Sequence, residues 1–235
     1  MTAEALAQIN AEIVDCVKCP RLVRWRQDVA LNPPARFARQ PYWARPVPGF
    51  GDPDARVLLV GLAPAAHGGN RTGRVFTGDR SGDFLFPVLH ETGFSNQPTS
   101  THIADGLQLI DLYISAVNRS APPDNRPTPA ERDNCLPYLV RELSALENAL
   151  VIVCLGAFAW NGALRALRSL GHEVPRKPRF GHGAEADVGS HRLLGTFHPS
   201  QQNTFTGRLT RQMFLEIFIR ARSLVDARAR GPGSR

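Results

Sequence analysis

Three short stretches of this sequence carry the side chains most able to do chemistry, and each follows a run of apolar residues. Residues 61–79 are rich in glycine and end in a carboxylate, residues 120–126 contain two prolines followed by Asp and Asn, and residues 198–210 open with His-Pro-Ser. Glycine lets the backbone approach a ligand closely. Imidazole and carboxylate groups are the commonest proton donors and acceptors in enzymes. These stretches therefore form the candidate site.

The hydrophobic pattern predicts the elements that would position these stretches. Four apolar runs alternate with amphipathic helical segments, which is typical of a parallel sheet with helices on both faces. The predicted strands are residues 56–60, 109–117, 150–155 and 192–197. Ligands bind beyond the carboxyl ends of such strands, where all three stretches lie. We predict a single-domain α/β/α sandwich with a central four-stranded parallel sheet over residues 1–228, and a flexible tail at 229–235.

Helical patterns fill most of the connections. The predicted helices are residues 4–18, residues 83–91, the segment opened by a capping box at 128–131, residues 157–170 and a last amphipathic helix after residue 210. Residues 31–53 are rich in proline, arginine and aromatic side chains, so they cannot form a regular helix or a central strand. They either wrap the domain or face nucleic acid, and wrapping is favoured. Residues 171–190 are predicted to be a loop.

Single residues of the candidate site admit structural interpretations as well. The glycines match neither a phosphate loop, which ends in Gly-Lys-Ser or Gly-Lys-Thr, nor the dinucleotide fingerprint, so a plain tight connection is favoured for them alone. Asp79 could simply cap a helix. Phe76 could be a core residue or a flat surface for a stacked base. A lone histidine is more often structural, but His198 follows a strand in the same layer as Asp79.

Composition suggests the kind of partner and the location. The chain of 235 residues has 28 Lys plus Arg against 21 Asp plus Glu, and only Lys18 and Lys177 are lysines. Arginine suits phosphate and base stacking, so an anionic partner, most simply nucleic acid, is indicated. An arginine-rich proteome explains the excess equally well. Glu4 and Glu12 stand where a signal peptide is basic, and no apolar run reaches transmembrane length, so we expect a cytoplasmic protein.

Cys16 and Cys19 form a C-x-x-C pattern, which in a cytosolic protein indicates a metal, an iron–sulfur cluster or a redox pair. The pattern ends a predicted helix, whereas a thioredoxin-type pair would begin one, so a metal is favoured. Structural disulfides are not expected in a cytoplasmic protein.

The motifs GLAPAAHGGNRTGRVFTGDRSG, APPDNRPTP and HPSQQNTFTGRLT together resemble those of the family 5 uracil-DNA glycosylases, an iron–sulfur branch of the uracil-DNA glycosylase superfamily. The C-x-x-C pattern, the segment ARPVPGFGDP and the helix containing ERDNC match as well, so the resemblance covers residues 15–219. It implies hydrolysis of the N-glycosidic bond of uracil in DNA, and of other deaminated bases such as hypoxanthine. It also implies an α/β/α sandwich and a [4Fe-4S] cluster.

The resemblance assigns expected roles within the three motifs. The expected catalytic residues are Asp79, His198 and Asn125; the base-binding residues are Gly61, Ala63, Ala65, Phe76, Asn125 and His198; the DNA-binding residues are His67, Arg71, Ser200, Asn203, Arg208, Leu209, Thr210 and Arg211. Asp79 would orient water or stabilise the sugar cation, and His198 would donate to a carbonyl of the leaving base. Leu209 would wedge between bases. The expected partner is DNA that contains uracil, bound by a monomer.

Two positions depart from other branches of the superfamily. Ala63 stands where those branches carry a polar or acidic residue, and Ala116 stands where family 4 carries an asparagine. Both positions lack a polar side chain that could select for one base, which suits a pocket that accepts several bases. The alternatives to a glycosylase are a catalytically altered protein that binds uracil or lesions in DNA, and an iron–sulfur redox protein.

One position departs from family 5 itself. The resemblance implies cluster ligands at Cys16, Cys19, Ser120 and Cys135, and the family has cysteine where this chain has Ser120. Cys154 offers a thiol, but it lies in a predicted strand and should be buried in the core. Because a strand cannot move without disrupting the sheet, we expect Ser120 at the fourth corner or an incomplete site.

Overall fold

A six-stranded sheet forms the centre of the fold in a computed structural model, which describes residues 2–174 and 178–229. The strands are β1 (Phe50–Gly51), β2 (Val57–Gly61), β3 (Leu112–Ala116), β4 (Val151–Leu155), β5 (Glu185–Val188) and β6 (His191–Thr196). Their order across the sheet is β1-β3-β2-β4-β6-β5. The central four strands are parallel, and the two edge strands are antiparallel to their neighbours.

The predicted four-stranded parallel sheet is confirmed. Every residue of β2, β3 and β4 is buried, as expected for parallel strands that helices cover on both faces. The register aligns Val57 with Leu112 on one side and with Val151 on the other. This alignment brings the carboxyl ends of the strands to one edge of the sheet.

The two edge strands were not predicted. Strand β5 lies within residues 171–190, so the prediction of a loop there was wrong for Glu185–Val188. Its residues are mostly exposed or half-buried, because an edge strand that faces solvent needs no apolar run. Strand β1 has only two residues and lies in the proline-rich segment 31–53.

Helices cover both faces of the sheet, as predicted. They are α1 (Thr2–Val14), α2 (Pro20–Leu31), α3 (Gly69–Thr72), α4 (Arg80–Glu91), α5 (Pro129–Ala145), α6 (Ala157–Ser169), α7 (Gln201–Phe205) and α8 (Arg211–Ala229). Leu59 of β2 points into one core with α4 and α8, whereas Leu58 and Val60 point into the other with α5 and α6. This alternation across a strand produces the three layers.

Helix boundaries differ from the sequence prediction mainly at the N-terminal end. The helix predicted over residues 4–18 ends at Val14, so Cys16 and Cys19 lie in the connection between α1 and α2. Helix α2 was not predicted. The capping box of Thr128 and Glu131 is confirmed at the start of α5. Of the predicted tail, only Ala229 is described, as the last residue of α8; residues 230–235 lie outside the described chain.

The proline-rich segment wraps around the edge of the sheet where the candidate site lies. Backbone N–H groups of Trp43 and Val47 donate to the carbonyl oxygens of Arg71 and Arg119, at 2.9 and 2.7 Å. These bonds tie the segment to the connections that follow β2 and β3. Among the helices of residues 2–174 and 178–229, none is long and apolar enough to cross a membrane.

Candidate functional site

A cleft of about 910 Å³ opens at the carboxyl edge of the parallel strands. All three candidate stretches contribute to its walls. The candidate residues in the walls are Ala63, Ala65, His67, Phe76, Asp79, Asn125, His198 and Ser200. Gly61 lies behind the wall and supports Phe76 from there. The stretches meet because the carboxyl ends of parallel strands share one edge.

Asp79 precedes α4 and caps that helix. Its Oδ1 accepts a hydrogen bond from the backbone N–H of Gly82 at 2.9 Å, the structural role that Asp favours at this position. Its Oδ2 lies against Gly68, where an added Cβ would come within 2.0 Å of it. Burial raises the pKa of the carboxyl, and the N–H groups of Gly82 and Ser81 oppose the rise. The cap therefore holds the carboxyl in the wall of the cleft.

Phe76 has a left-handed backbone conformation, with φ of 53°, which is unusual for a bulky residue. Its ring packs against Gly61, where an added Cβ would lie 2.9 Å from the ring, and its carbonyl oxygen would lie 2.0 Å from a Cβ at Gly82. Backbone strain of this kind costs about 1–3 kcal/mol and persists only where the surroundings enforce it. Phe76 is 7% exposed and belongs to the hydrophobic core, so the two glycines fix a largely buried ring that also lines the cleft.

His198 follows β6, and the centroid of its ring lies 6.1 Å from that of Phe76. The side-chain amide of Asn203 donates to the carbonyl oxygen of His198 at 2.9 Å and so holds the backbone. No hydrogen bond to the imidazole comes from residues 2–174 or 178–229, so the ring is open to a ligand. Burial lowers its pKa to about 4. The ring is therefore neutral at neutral pH, with one N–H to donate.

Asn125 reaches the cleft from a tight turn after β3. Asn125 and Asp124 both have φ of 54°, a region that Asn and Asp tolerate better than most residues. Both line the cleft with exposed side chains. The turn presents an amide at the position that the motif predicted, together with a carboxylate that sequence reasoning did not single out.

One wall of the cleft comes from the proline-rich segment and was missed. Arg36 and Phe37 line the cleft there. The Phe37 ring lies 6.1 Å from that of His67, whose Nδ1 forms a 2.9 Å hydrogen bond with the hydroxyl of Tyr42. The guanidinium of Arg71 stacks over Phe37 at 4.3 Å. The segment thus both wraps the domain and faces the cleft, and its arginine and aromatic content was the available signal.

Several side chains predicted to bind DNA have partners within the protein. The guanidinium of Arg71 makes three hydrogen bonds, the shortest of 2.6 Å. Arg211 forms an exposed ion pair with Glu91. The hydroxyl of Thr210 accepts a backbone N–H bond near the start of α8. These contacts within the protein already occupy the polar groups of Arg71, Thr210 and Arg211.

The prediction that Leu209 wedges between bases is wrong. Leu209 is 1% exposed and belongs to the hydrophobic core beneath residues 198–210. The apolar side chain that this loop exposes is Phe205, which is 76% exposed at the end of α7. Arg208 is also exposed, and its guanidinium lies 4.6 Å from the centre of the Phe197 ring. Spacing alone could not show which of two apolar residues in a polar loop points inward.

Three of the four cysteines gather where the connection between α1 and α2 meets α5. Cys16 and Cys19 are half-buried there, and Cys135 of α5 is buried. Burial raises the pKa of the Cys135 thiol to about 11, and the nearby groups of Cys19 and Cys16 add to that rise. Cys154 is fully buried in β4, within the core, as predicted. It is therefore not at this cysteine site.

Ser120, on the loop after β3, is linked to the cysteine site through Arg26. Its buried hydroxyl accepts a hydrogen bond from Nη1 of Arg26 at 3.0 Å, and the same nitrogen lies 3.5 Å from the carbonyl oxygen of Cys16. Residues 2–174 and 178–229 contain no group of three or more His, Cys, Asp or Glu already spaced to hold a metal ion. The side chains present nevertheless fit an iron–sulfur cluster. Such clusters require thiolate ligands, which the three cysteines can supply, and the buried guanidinium of Arg26 would stabilise their negative charge.

Comparison with known proteins identifies the family. The model of the uracil DNA glycosylase superfamily matches residues 48–222. The type-5 uracil-DNA glycosylase of Mycobacterium tuberculosis (strain CDC 1551 / Oshkosh) is 53% identical over 224 residues, which cover 94% of this chain and 82% of that protein. The protein of the same name from Thermus thermophilus is 49% identical over 227 residues, with 95% and 99% covered. The one from Pyrobaculum aerophilum is 44% identical over 209 residues, with 89% and 88% covered.

The three-layered fold, the motifs at the strand ends and these matches all indicate the same family. The chain belongs to the uracil-DNA glycosylase superfamily and, within it, to the type-5 uracil-DNA glycosylases. The resemblance inferred from the three motifs is thereby confirmed.

Proposed function

We propose that this protein excises uracil from DNA by hydrolysing the N-glycosidic bond, which leaves an abasic site. The observation that carries the proposal is a half-buried carboxyl, Asp79, and a neutral imidazole, His198, in one cleft whose wall holds the ring of Phe76. A base can enter such a cleft only after it leaves the stack of the duplex. The type-5 relatives are named for this activity.

Breaking the bond places positive charge on the sugar and negative charge on the departing base. The carboxylate of Asp79 stabilises the sugar cation and orients the attacking water. The neutral ring of His198 donates a hydrogen bond to a uracil carbonyl oxygen as charge develops there. Phe76 stacks on the flipped base, while the amide of Asn125 and the backbone N–H groups of Ala63 and Ala65 bind its polar edge.

A duplex with one uracil, labelled at one end and treated with alkali after incubation, tests the proposal. We expect one cleavage at the uracil and none in a matched duplex with thymine. The protein should be in excess, so that a single turnover is visible even when product release is slow. Binding to the uracil duplex without cleavage would indicate a lesion-binding protein and overturn the proposal.

The pocket should also accept other deaminated bases, such as hypoxanthine. Ala63 lines the cleft, and Ala116 ends β3 with 3% exposure. A methyl group cannot hydrogen-bond, so neither side chain selects for the polar edge of uracil. Single-turnover excision from a hypoxanthine duplex checks this, and a rate no higher than that for thymine contradicts it.

DNA should lie across exposed arginines at the rims of the cleft. Arg36 is exposed and lines the cleft from the proline-rich segment, and Arg208 is exposed on the loop after β6. Affinity for abasic DNA should then fall steeply as salt rises, because phosphate binding releases counterions. A DNA substrate also agrees with the cytoplasmic location expected from the sequence.

The cysteine site should hold a structural [4Fe-4S] cluster, with Cys16, Cys19 and Cys135 as thiolate ligands and Ser120 at the fourth corner. When bound, the cluster would cross-link the N-terminal connection, the loop after β3 and α5. Iron and acid-labile sulfide in protein purified without oxygen test this. Cys135→Ala should lose both, and the control Cys154→Ala should keep them; the reverse pattern would overturn the assignment.

A further inference from the structure

Arg26 is a buried cation to which the proposed function gives no role. It lies on the inner face of α2, 5% exposed and seven residues beyond Cys19 in the chain. Taking a guanidinium out of water is costly unless a negative charge or well-placed hydrogen bonds compensate for the lost hydration. The contacts of Arg26 therefore indicate where the compensating negative charge lies.

The other two buried arginines in the described chain each have a carboxylate partner. Arg119, 2% exposed, forms a two-pronged ion pair with Glu142. Arg74, which is 6% exposed, forms an ion pair with Asp105. Arg26 forms no ion pair with a carboxylate of residues 2–174 or 178–229. Its Nε, like that of Arg119, is buried without a hydrogen-bond partner there. Its counter-charge is therefore missing.

The contacts of Arg26 lead to the cysteine site. Its Nη1 donates to the hydroxyl of Ser120 at 3.0 Å and lies 3.5 Å from the carbonyl oxygen of Cys16. A thiolate at Cys16, whose backbone Arg26 contacts, would place negative charge close to the guanidinium. The missing counter-charge thus corresponds to thiolates at this site.

We propose that Arg26 is the counter-ion of the iron–sulfur cluster and positions its fourth corner. The inference rests on the cluster proposed above. Each thiolate ligand adds a negative charge, and Arg26 compensates for one of them. Its bond to Ser120 places positive charge at the corner where this chain has a hydroxyl in place of the family's cysteine. Charge and hydrogen bonds around such a cluster set its stability and reduction potential.

Two substitutions at Arg26 separate charge from shape. Arg26→Met removes the charge and keeps much of the side-chain volume. Arg26→Lys keeps the charge but loses the planar guanidinium with its several N–H donors. Arg24→Met is the matched control, because Arg24 is an exposed arginine on the same helix. The measurements are iron and sulfide per chain, the rate at which a chelator bleaches the visible absorption, and the reduction potential.

Arg26→Met should bleach about tenfold faster than wild type, the usual size of an effect beside metal ligands. Its reduction potential should be lower, because an added electron is less favourable without the neighbouring cation. Arg26→Lys should lie between Arg26→Met and wild type, and Arg24→Met should match wild type. If Arg26→Met is obtained without iron, Arg26→Lys decides, because charge compensation requires that it keep iron.

The outcomes that overturn the proposal are distinct from a failure of the proposed activity. Wild-type iron content, bleaching and potential in Arg26→Met would exclude Arg26 as the counter-ion and leave the cluster in place. Equal iron loss in Arg26→Met and Arg26→Lys would assign Arg26 a packing role. An iron-free wild type would overturn both the cluster and the counter-ion. Absence of uracil excision by an iron-loaded protein would overturn only the activity.

Discussion

The cleft and the cysteine site hold their functional groups in different ways. In the cleft, the protein's own backbone fixes them: Asp79 caps a helix, Phe76 is confined by two glycines, and the backbone of His198 is tied by Asn203. At the cysteine site, Arg26 has no carboxylate partner among residues 2–174 and 178–229, and burial raises the pKa of the Cys135 thiol. The cleft is organised without a ligand, whereas we propose that the cysteine site is completed by the negatively charged cluster.

This difference implies that the two regions can be altered separately. Substitutions in the cleft should reduce excision and leave iron content unchanged. Substitutions at the cysteine site should change iron retention before they change excision. A cleft variant that loses iron, or a cysteine-site variant that loses excision while retaining its cluster, would contradict the separation.

Asp79→Ala should have the largest effect. Single-turnover excision of uracil should fall by about two to four orders of magnitude, because a positioned acid or base contributes that much. Loss of the helix cap should cost only about 1 kcal/mol of stability, measured by chemical unfolding. The control is Asp83→Ala, which removes the next acid in the cleft wall. Near-normal excision by Asp79→Ala would show that another group carries the role.

His198→Ala should follow, with a loss of about two to three orders of magnitude in single-turnover rate, as for one donor to a developing negative charge. Affinity for abasic DNA should be unchanged, because the neutral ring acts on the leaving base. His102→Ala, at an exposed loop position, is the control. A variant that binds DNA poorly but cuts at the normal rate would assign His198 to binding instead.

Gly68→Ala tests whether the backbone confines the carboxyl of Asp79. The added Cβ would lie within 2.0 Å of Oδ2, so the carboxyl must move. A displacement of about 1 Å at a reacting group costs on the order of 100-fold in rate. Gly181→Ala is the control, because its nearest neighbour would lie at 3.9 Å. Equal rates for the two variants would mean that the cleft tolerates movement of the carboxyl.

Phe205→Ala should have a smaller effect, confined to duplex substrates. An exposed aromatic ring at the rim can fill the gap that a flipped base leaves, and stacking is worth about 1–3 kcal/mol. We expect a loss of about tenfold on duplex DNA and none on a single strand of the same sequence. Ile219→Ala, another exposed apolar position, is the control. Equal losses on both substrates would exclude insertion into the stack.

Ser120→Cys should have the smallest effect on excision and a clear one on the cluster. A fourth thiolate suits iron better than a hydroxyl does, so a chelator should bleach the cluster more slowly. Uracil excision should stay at the wild-type rate, because Ser120 lies at the cysteine site and not in the cleft wall. If the cluster of Ser120→Cys bleaches faster than that of wild type, the site stabilises its cluster better with the hydroxyl of Ser120 than with a fourth thiolate.

Local signals in the sequence predicted much of the fold. The four central strands were predicted because buried parallel strands are short apolar runs, and the start of α5 because a capping box is a local pattern. Helix α2 was missed because its arginines mask the apolar stripe of Leu22 and Val29. Strand β5 was missed because an exposed edge strand has no apolar run.

Sequence motifs also indicated Asp79, Asn125 and His198 as candidates, because all three lie in loops that follow predicted strands. The motifs did not show that Leu209 is buried and Phe205 exposed, since both are apolar residues of one loop. Only the packing of the loop on α8 decides which of them enters the core.

The sequence by itself determined the four central strands, the edge of the sheet at which their loops lie, and the family that the motifs in those loops indicate. Local periodicity and residue type carry this information along the chain. The tertiary structure alone decided that Arg119 meets Glu142 while Arg26, 94 residues from Ser120 in the chain, meets a hydroxyl beside the cysteines. Whether a buried charge has a partner depends on which distant segments pack together, and no local pattern encodes that.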